Sequence, residues 1–268
     1  MNWTIVLAPL MGFIGIFAGA LLTHQFTSKR EEQKYSYEVF QNFISPVLLQ
    51  VCSFINHNAL NPDEDDETKN HFGMNETYFF SKIMIPHIEG NLKYCNSELI
   101  AALQSLRNTE YLHTFFISEG LDEYSEDYDT ETLFCKIVMV YIFLEYSTKI
   151  IIKNEKNLGR FLLNDILKYK LIFSLIGAIV KIKRLDNLEE AWTLLNWENG
   201  KCDKPGYALY TSVLKQYIPF NDSSEYSVEF LRQAVGICYE QDEATNFLSS
   251  IFDESDEIED ELLLEKVQ

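Results

Sequence analysis

The chain has 268 residues, a net charge of −19 and 14% aromatic residues. That acidity opposes binding to a polyanion through overall charge, and the apolar and aromatic supply is too rich for a disordered chain. Cys52, Cys95, Cys135, Cys202 and Cys238 are odd in number and form no CxxC pair, which predicts reduced thiols and no closed disulfide framework.

Ile5 to Leu22 is one uncharged, apolar run. As a helix rising about 1.5 Å per residue it would be roughly 27 Å long, close to the hydrocarbon thickness of a bilayer. The competing reading is a cleaved secretory signal, because Ala18-Gly19-Ala20 resembles a small-residue cleavage site. Against it, no Lys or Arg precedes the run, Leu21-Leu22 continue it, and Lys29-Arg30 follow as a stop. A retained transmembrane anchor over residues 1–28 is therefore expected. Lys29, Arg30 and Lys34 flank only its C-terminal end, so the positive-inside rule puts the N-terminus outside and the bulk of the chain in the cytoplasm, beneath the inner (plasma) membrane. Within the span Ala8, Gly12, Gly15 and Gly19 share one helix face, a pattern for close packing of membrane helices and hence for a homo-oligomer. Glycine is also common in membrane helices generally, and Pro9 makes this one irregular.

A juxtamembrane helix is expected over 29–60, where Tyr37, Phe40, Ile44, Val47, Val51 and Phe54 form an apolar seam. Pro46 interrupts that seam, which favours packing against the chain's own domain over a dimeric stalk. Residues 61–252 predict an all-helical cytoplasmic domain. Helices are expected over Tyr78–Tyr94, Ser97–Ser118, Thr130–Lys153, Leu158–Lys183, Leu188–Trp197, Tyr207–Tyr217, Ser227–Glu240 and Glu243–Phe252. Asn96 or Ser97, Asp129, and Asp186 with Glu189 stand where N-caps belong. Gly200, Pro205 and Gly206 mark an internal boundary near 198–206. Residues 253–268 form an acidic tail ending in Leu262-Leu263-Leu264, either a docking peptide or a solubilising extension.

Two further apolar stretches test for a second crossing. Leu133 to Ile152 contains Lys136, Glu145 and Lys149, each costing up to about 3 kcal/mol if central, which cancels its apolar gain. Leu171 to Val180 is too short to span. Both predict buried soluble helices, with Glu145 and Lys149 paired at i, i+4. Basic residues concentrate in Lys149 to Arg184. Lys153, Lys156, Arg160, Lys168, Lys170, Lys181, Lys183 and Arg184 could face an anionic leaflet, or be solvated charges balancing nearby carboxylates. Nucleic-acid binding is not favoured: Phe161, Tyr169 and Phe173 lie among these bases at core spacing.

No catalytic residue, cofactor-binding motif or metal-ligand set is recognisable. The histidines have no zinc spacing, and Asp63-x-Asp65-x-Glu67 and Asp127-x-Asp129-x-Glu131 lack the glycine and distant glutamate of a calcium loop. There is no phosphate-binding glycine loop and no nucleophile elbow. Asn75 and Asn221 match glycosylation acceptors by chance in a cytoplasmic setting. Trp192 and Trp197 with Tyr207 and Tyr210 suit a core better than a pocket.

A short outside N-terminus, a glycine-rich span, a Lys-Arg stop and a helical cytoplasmic domain together resemble single-span bacterial inner-membrane proteins, including those encoded in mobile-element and phage-defence loci. The resemblance covers the first forty or so residues and names no family. The expected function is a non-enzymatic, membrane-anchored module that recruits a cytoplasmic protein partner, in a setting such as antiphage defence. The alternative is an oligomerising effector whose helices between Leu133 and Val180 perturb the bilayer when triggered.

Overall fold

The computed structural model describes residues 3–62, 69, 74–120, 125–154, 160–195, 213, 224–239 and 241–252, and among these it is all-helical. The expected boundary at 198–206, the helix at Tyr207–Tyr217 and the tail at 253–268 fall outside the described residues, save Val213. Helix α1, Trp3–Val39, has 37 residues and is about 55 Å long. Among the described residues one helical stretch, Gly19–Leu60 near the N-terminus, is long and apolar enough to cross a membrane by length and composition, a property shared by signal sequences and buried core helices. From Gly19 to Tyr35 every residue of α1 is exposed, and Ser36 is the first that the domain covers.

After α1 the chain passes through a π-helical turn, Phe40–Ile44, into α2, Ser45–Leu60. The expected kink at Pro46 takes this form. Proline lacks an N–H, and its ring clashes with the carbonyl four residues back in an α-helix. A wider turn just before it, closed by the Ser45 N–H donating to the Phe40 carbonyl, avoids the clash. The same device recurs at Pro86. Helix α3, Glu76–Tyr78, capped by the Asn75 side chain, opens into a π-turn Phe79–Met84 ahead of α4, Ile85–Gly90. The seam residues Ile44, Val47, Val51 and Phe54 are buried against the domain itself.

A 3-10 turn, Leu92–Tyr94, leads to α5, Ser97–Ser118. Asn96 caps it by accepting from the Leu99 N–H at 3.0 Å, and Gly120 ends it with φ 71, a conformation that a β-carbon disfavours. Helix α6, Ser125–Lys153, packs back along α5, and α7, Arg160–Lys183, packs along α6. Residues 171–180 of α7 are all buried, so this stretch of the helix is enclosed on every face. Helix α8, Leu188–Leu195, then α9, Ser224–Cys238, and α10, Gln241–Ile251, cover its sides. Two expected caps differ. Asp129 lies inside α6 and pairs with His113, and α8 is capped by Asn187, which accepts from the Glu190 N–H at 2.9 Å.

Helix α7 ends in a Schellman motif: the Leu185 N–H donates to the Val180 carbonyl at 3.2 Å, and Arg184 takes the left-handed position with φ 52. Glycine is preferred there because a β-carbon costs about 1 kcal/mol or more. Arg184→Gly is expected to raise stability by up to about 1 kcal/mol, read as a higher denaturation midpoint with unchanged slope. A lower midpoint would show that the Arg184 side chain holds the turn.

Candidate functional site

The described helices give the domain two poles, one at each end. Helix α6 runs antiparallel to α1 and the π-turn that follows it. Lys153 Nζ meets Glu32 Oε1 at 2.7 Å, Asn154 Nδ2 donates to Ser36 Oγ at 3.1 Å, and Phe143 packs edge-on against Phe43 at 5.8 Å. The C-terminal end of α6 is thus at the level where α1 enters the domain. Its N-terminal end lies about 40 Å away, since α6 has 29 residues.

The first pole surrounds α1 where it leaves the domain. Lys29, Arg30 and Lys34 are exposed on α1. The Tyr35 hydroxyl donates to the Lys93 carbonyl at 3.4 Å, drawing the 3-10 turn against the same helix. Two apolar side chains are exposed here, each beside a lysine: Leu92 at 46% and Ile152 at 51%. Glu32 is held below the usual carboxylate range, first by its hydrogen bond to Lys153 and then by that cation's charge.

The second pole is the tip of the α5–α6 hairpin. The last two turns of α5 rise beyond the core and leave Tyr111 69%, Leu112 40%, Phe115 44% and Ile117 49% exposed. Phe116 stacks on Tyr128 of α6 at 5.1 Å, and His113 Nε2 lies 3.2 Å from Asp129 Oδ1, so the tip is braced from both strands of the hairpin. The connecting sequence from Glu119 to Glu131 is dense in carboxylates. An apolar surface next in sequence to a dense run of acids complements a segment that is itself apolar and basic.

Between the poles lies an ion cluster that runs from a buried lysine to the surface. Lys170 of α7 is 1% exposed and its ammonium pairs closely with Glu145 of α6, over the Tyr141 ring at 4.9 Å. Glu145 also meets Lys149 at 3.5 Å, the expected i, i+4 pair, and Lys149 reaches Glu98 of α5 at 3.6 Å. The cluster therefore ties α5, α6 and α7 together. Nearby, Glu76 accepts from Lys136 at 3.1 Å and from the Leu188 N–H at 3.2 Å, serving the N-terminus of α8 as well.

The basic residues grouped by sequence do not form one surface. Lys170 is a correction: it is buried in the ion cluster and cannot face a leaflet. Lys153 lies at the pole where α1 emerges. Lys181, Lys183 and Arg184 lie at the opposite end of α7, where the Thr130 hydroxyl donates to the Arg184 carbonyl at 3.1 Å. Lys168 is half-buried between them. Lys156 is outside the described residues, and of Arg160 only the helical backbone is described. Ala8, Gly12 and Gly15 lie on α1, and a side chain added at Gly19 would meet nothing within 4 Å.

Of the chemistry considered in the sequence, Asn75 has a capping role and Trp192 is a core residue at 1% exposure. Cys52, Cys95, Cys135 and Cys238 are free thiols. Burial pushes Cys52 up to about 12 and Cys95 up to about 11, so neither is a ready nucleophile. Trp197, Tyr207, Tyr210, Cys202, Asn221 and the acids of 63–67 lie outside the described residues. Among the described residues no group of three His, Cys, Asp or Glu side chains converges as a metal site. The exposed hairpin tip was missed at the level of sequence. Its signal was present in the apolar residues continuing through Ile117 right up to an acidic loop. Compared with known proteins, the chain matches no family model, no curated protein and no solved structure.

Proposed function

We propose that this protein is a single-span, membrane-anchored helical module that recruits a cytoplasmic protein through its α5–α6 hairpin tip. The carrying observation is the exposure of Tyr111, Leu112, Phe115 and Ile117 on the last two turns of α5, at the pole opposite the emerging α1 and next in sequence to an acidic stretch. A tethered domain that holds such a surface some 40 Å from its anchor side presents it to cytoplasmic partners. The partner surface that fits it is an amphipathic helix with apolar and basic faces. Recruitment in a bacterial defence setting is the architectural analogue of this reading, and it rests on no residue of the site.

Phe115→Glu combined with Tyr111→Glu is the direct test. Both positions are solvent-exposed, so the fold should change by no more than about 0.5 kcal/mol per site. A stoichiometric partner that copurifies from gently solubilised native membranes is expected with the natural chain and to be lost with the variant. Retention of the partner by the variant, or self-association alone, would overturn the reading. The bilayer-perturbing alternative draws no support from the helices it needs. Its membrane-active segments are α6 and α7, which supply the centre of the core, and extracting them would sacrifice most of the domain's buried apolar surface.

A further inference from the structure

The pole from which α1 emerges is assembled from three distant stretches of sequence. Lys29, Arg30 and Lys34 come from α1, Lys93 from the 3-10 turn, and Lys153 from the end of α6, against Glu31 and Glu32. Among the described residues five cations stand at this level against Glu31 and Glu32, with Glu38 one turn further into the domain, in a chain whose net charge is −19. Leu92 and Ile152 stand exposed beside Lys93 and Lys153. Paired apolar and basic residues at a rim are what an interfacial contact uses: the hydrocarbon side chain enters the headgroup layer while the ammonium stays at the phosphates.

The spacing fits. From Leu22 to Glu32 the helix rises about 15 Å, and to Tyr35 about 20 Å. A headgroup layer takes up roughly 5–8 Å of that beyond the hydrocarbon edge. The remaining gap is about 7–10 Å at Glu32 and about 12–15 Å at Tyr35, between one and two Debye lengths at physiological ionic strength, and an extended lysine spans part of it. A modest tilt of α1 closes it on the side that carries Lys93 and Lys153.

We infer that this pole is a lipid-contact surface that seats the domain on anionic phospholipid headgroups, with Leu92–Lys93 and Ile152–Lys153 as its two feet. The inference rests on the anchor in the reading above, and adds to it a fixed orientation in which the hairpin tip points away from the bilayer. Lys181, Lys183 and Arg184, at the far end of α7, take no part.

The test uses the full chain in nanodiscs of phosphatidylcholine, with and without phosphatidylglycerol. Water-soluble amine acylation is read at each lysine by mass spectrometry. With the anionic lipid, labelling of Lys34 and Lys93 should fall several-fold and recover at high salt, while Lys181 and Lys183 stay unchanged. Lys93→Glu should remove the lipid dependence at Lys34. Equal labelling in the two lipids, in chain that comigrates with the discs, overturns the lipid contact and leaves the anchor standing. Chain that does not incorporate into discs overturns the anchor, and this inference with it.

Discussion

Replacing Glu145 by Ala should destabilise the domain by about 3–5 kcal/mol, the usual cost of leaving one partner of a buried ion pair uncompensated. For a domain of this size that corresponds to a fall in Tm of roughly 10 °C or more. Lys170 is 1% exposed, so after the substitution its ammonium has no solvent to replace the carboxylate. The reciprocal change is milder. In Lys170→Met, Glu145 keeps Lys149 at 3.5 Å and remains partly solvated, while the methionine fills the space among the apolar residues of α7. That asymmetry distinguishes an ion-pair effect from general damage to the helix. Lys170 and Glu145 replaced together by Met and Leu should recover most of the loss. The pH dependence has a definite sign. Burial holds the Lys170 ammonium below its ordinary value, with Glu145 opposing that shift. Without Glu145 the folded-state value drops further, and the unfolded chain binds the proton more readily than the folded one. Stability of Glu145→Ala should therefore increase as pH rises from the folded value toward the ordinary lysine value, and decrease as pH falls. Denaturation midpoints for the three variants across neutral and alkaline pH would check this. A Lys170→Met loss equal to that of Glu145→Ala would contradict it.

The helices of the domain were legible because their signals are local. Asn96 and Gly120 fix both ends of α5 within a few residues of sequence, and the expected bounds Ser97–Ser118 match those observed. The enclosure of α7 followed from a ten-residue apolar run bounded by lysines. Lys170 was misplaced for the opposite reason: its partner Glu145 is 25 residues away on another helix, and a pattern of i, i+4 neighbours reports only Lys149. The two π-turns were equally hidden. A proline inside a helical pattern announces an irregularity, but its form depends on tertiary partners. His87 Nε2 lies 2.6 Å from the Phe43 carbonyl within the first π-turn, and its ring stacks on Phe43 at 5.2 Å, so one π-turn is held by the helix that follows the other. A carbonyl can only accept, so His87 carries its proton on Nε2. The candidate surfaces were the least legible part: the pole around α1 is built from residues tens of positions apart that meet only when α6 folds back along α1, and the tip is braced only when α6 folds back along α5.

Phe54→Ala is the second change expected to have a large effect, about 3–5 kcal/mol. Phe54 is 1% exposed and lies face to face with Phe79, ring centroids 3.9 Å apart and interplanar angle 4°. It also meets Phe80 edge-on at 6.2 Å and Trp192 at 6.5 Å, and Trp192 in turn packs against Phe173 of α7. One ring thus joins α2, the second π-turn, α8 and, through Trp192, the enclosed helix α7. Truncation removes its transfer free energy and leaves a cavity bordered by Phe79 and Phe80 of the second π-turn and Trp192 of α8, with Phe173 of α7 behind Trp192, and these rings cannot all shift to fill it. Leu49, five residues earlier on α2 and 70% exposed, provides the control: Leu49→Ala should change stability by no more than about 0.5 kcal/mol. Guanidinium titration followed by tryptophan emission would separate the two, because Trp192 borders the cavity and its spectrum should shift to the red even in the folded variant. A Phe54→Ala midpoint close to that of Leu49→Ala would mean that this aromatic cluster collapses around the vacancy. The α2 seam would then be held to the domain chiefly by its packing on α7.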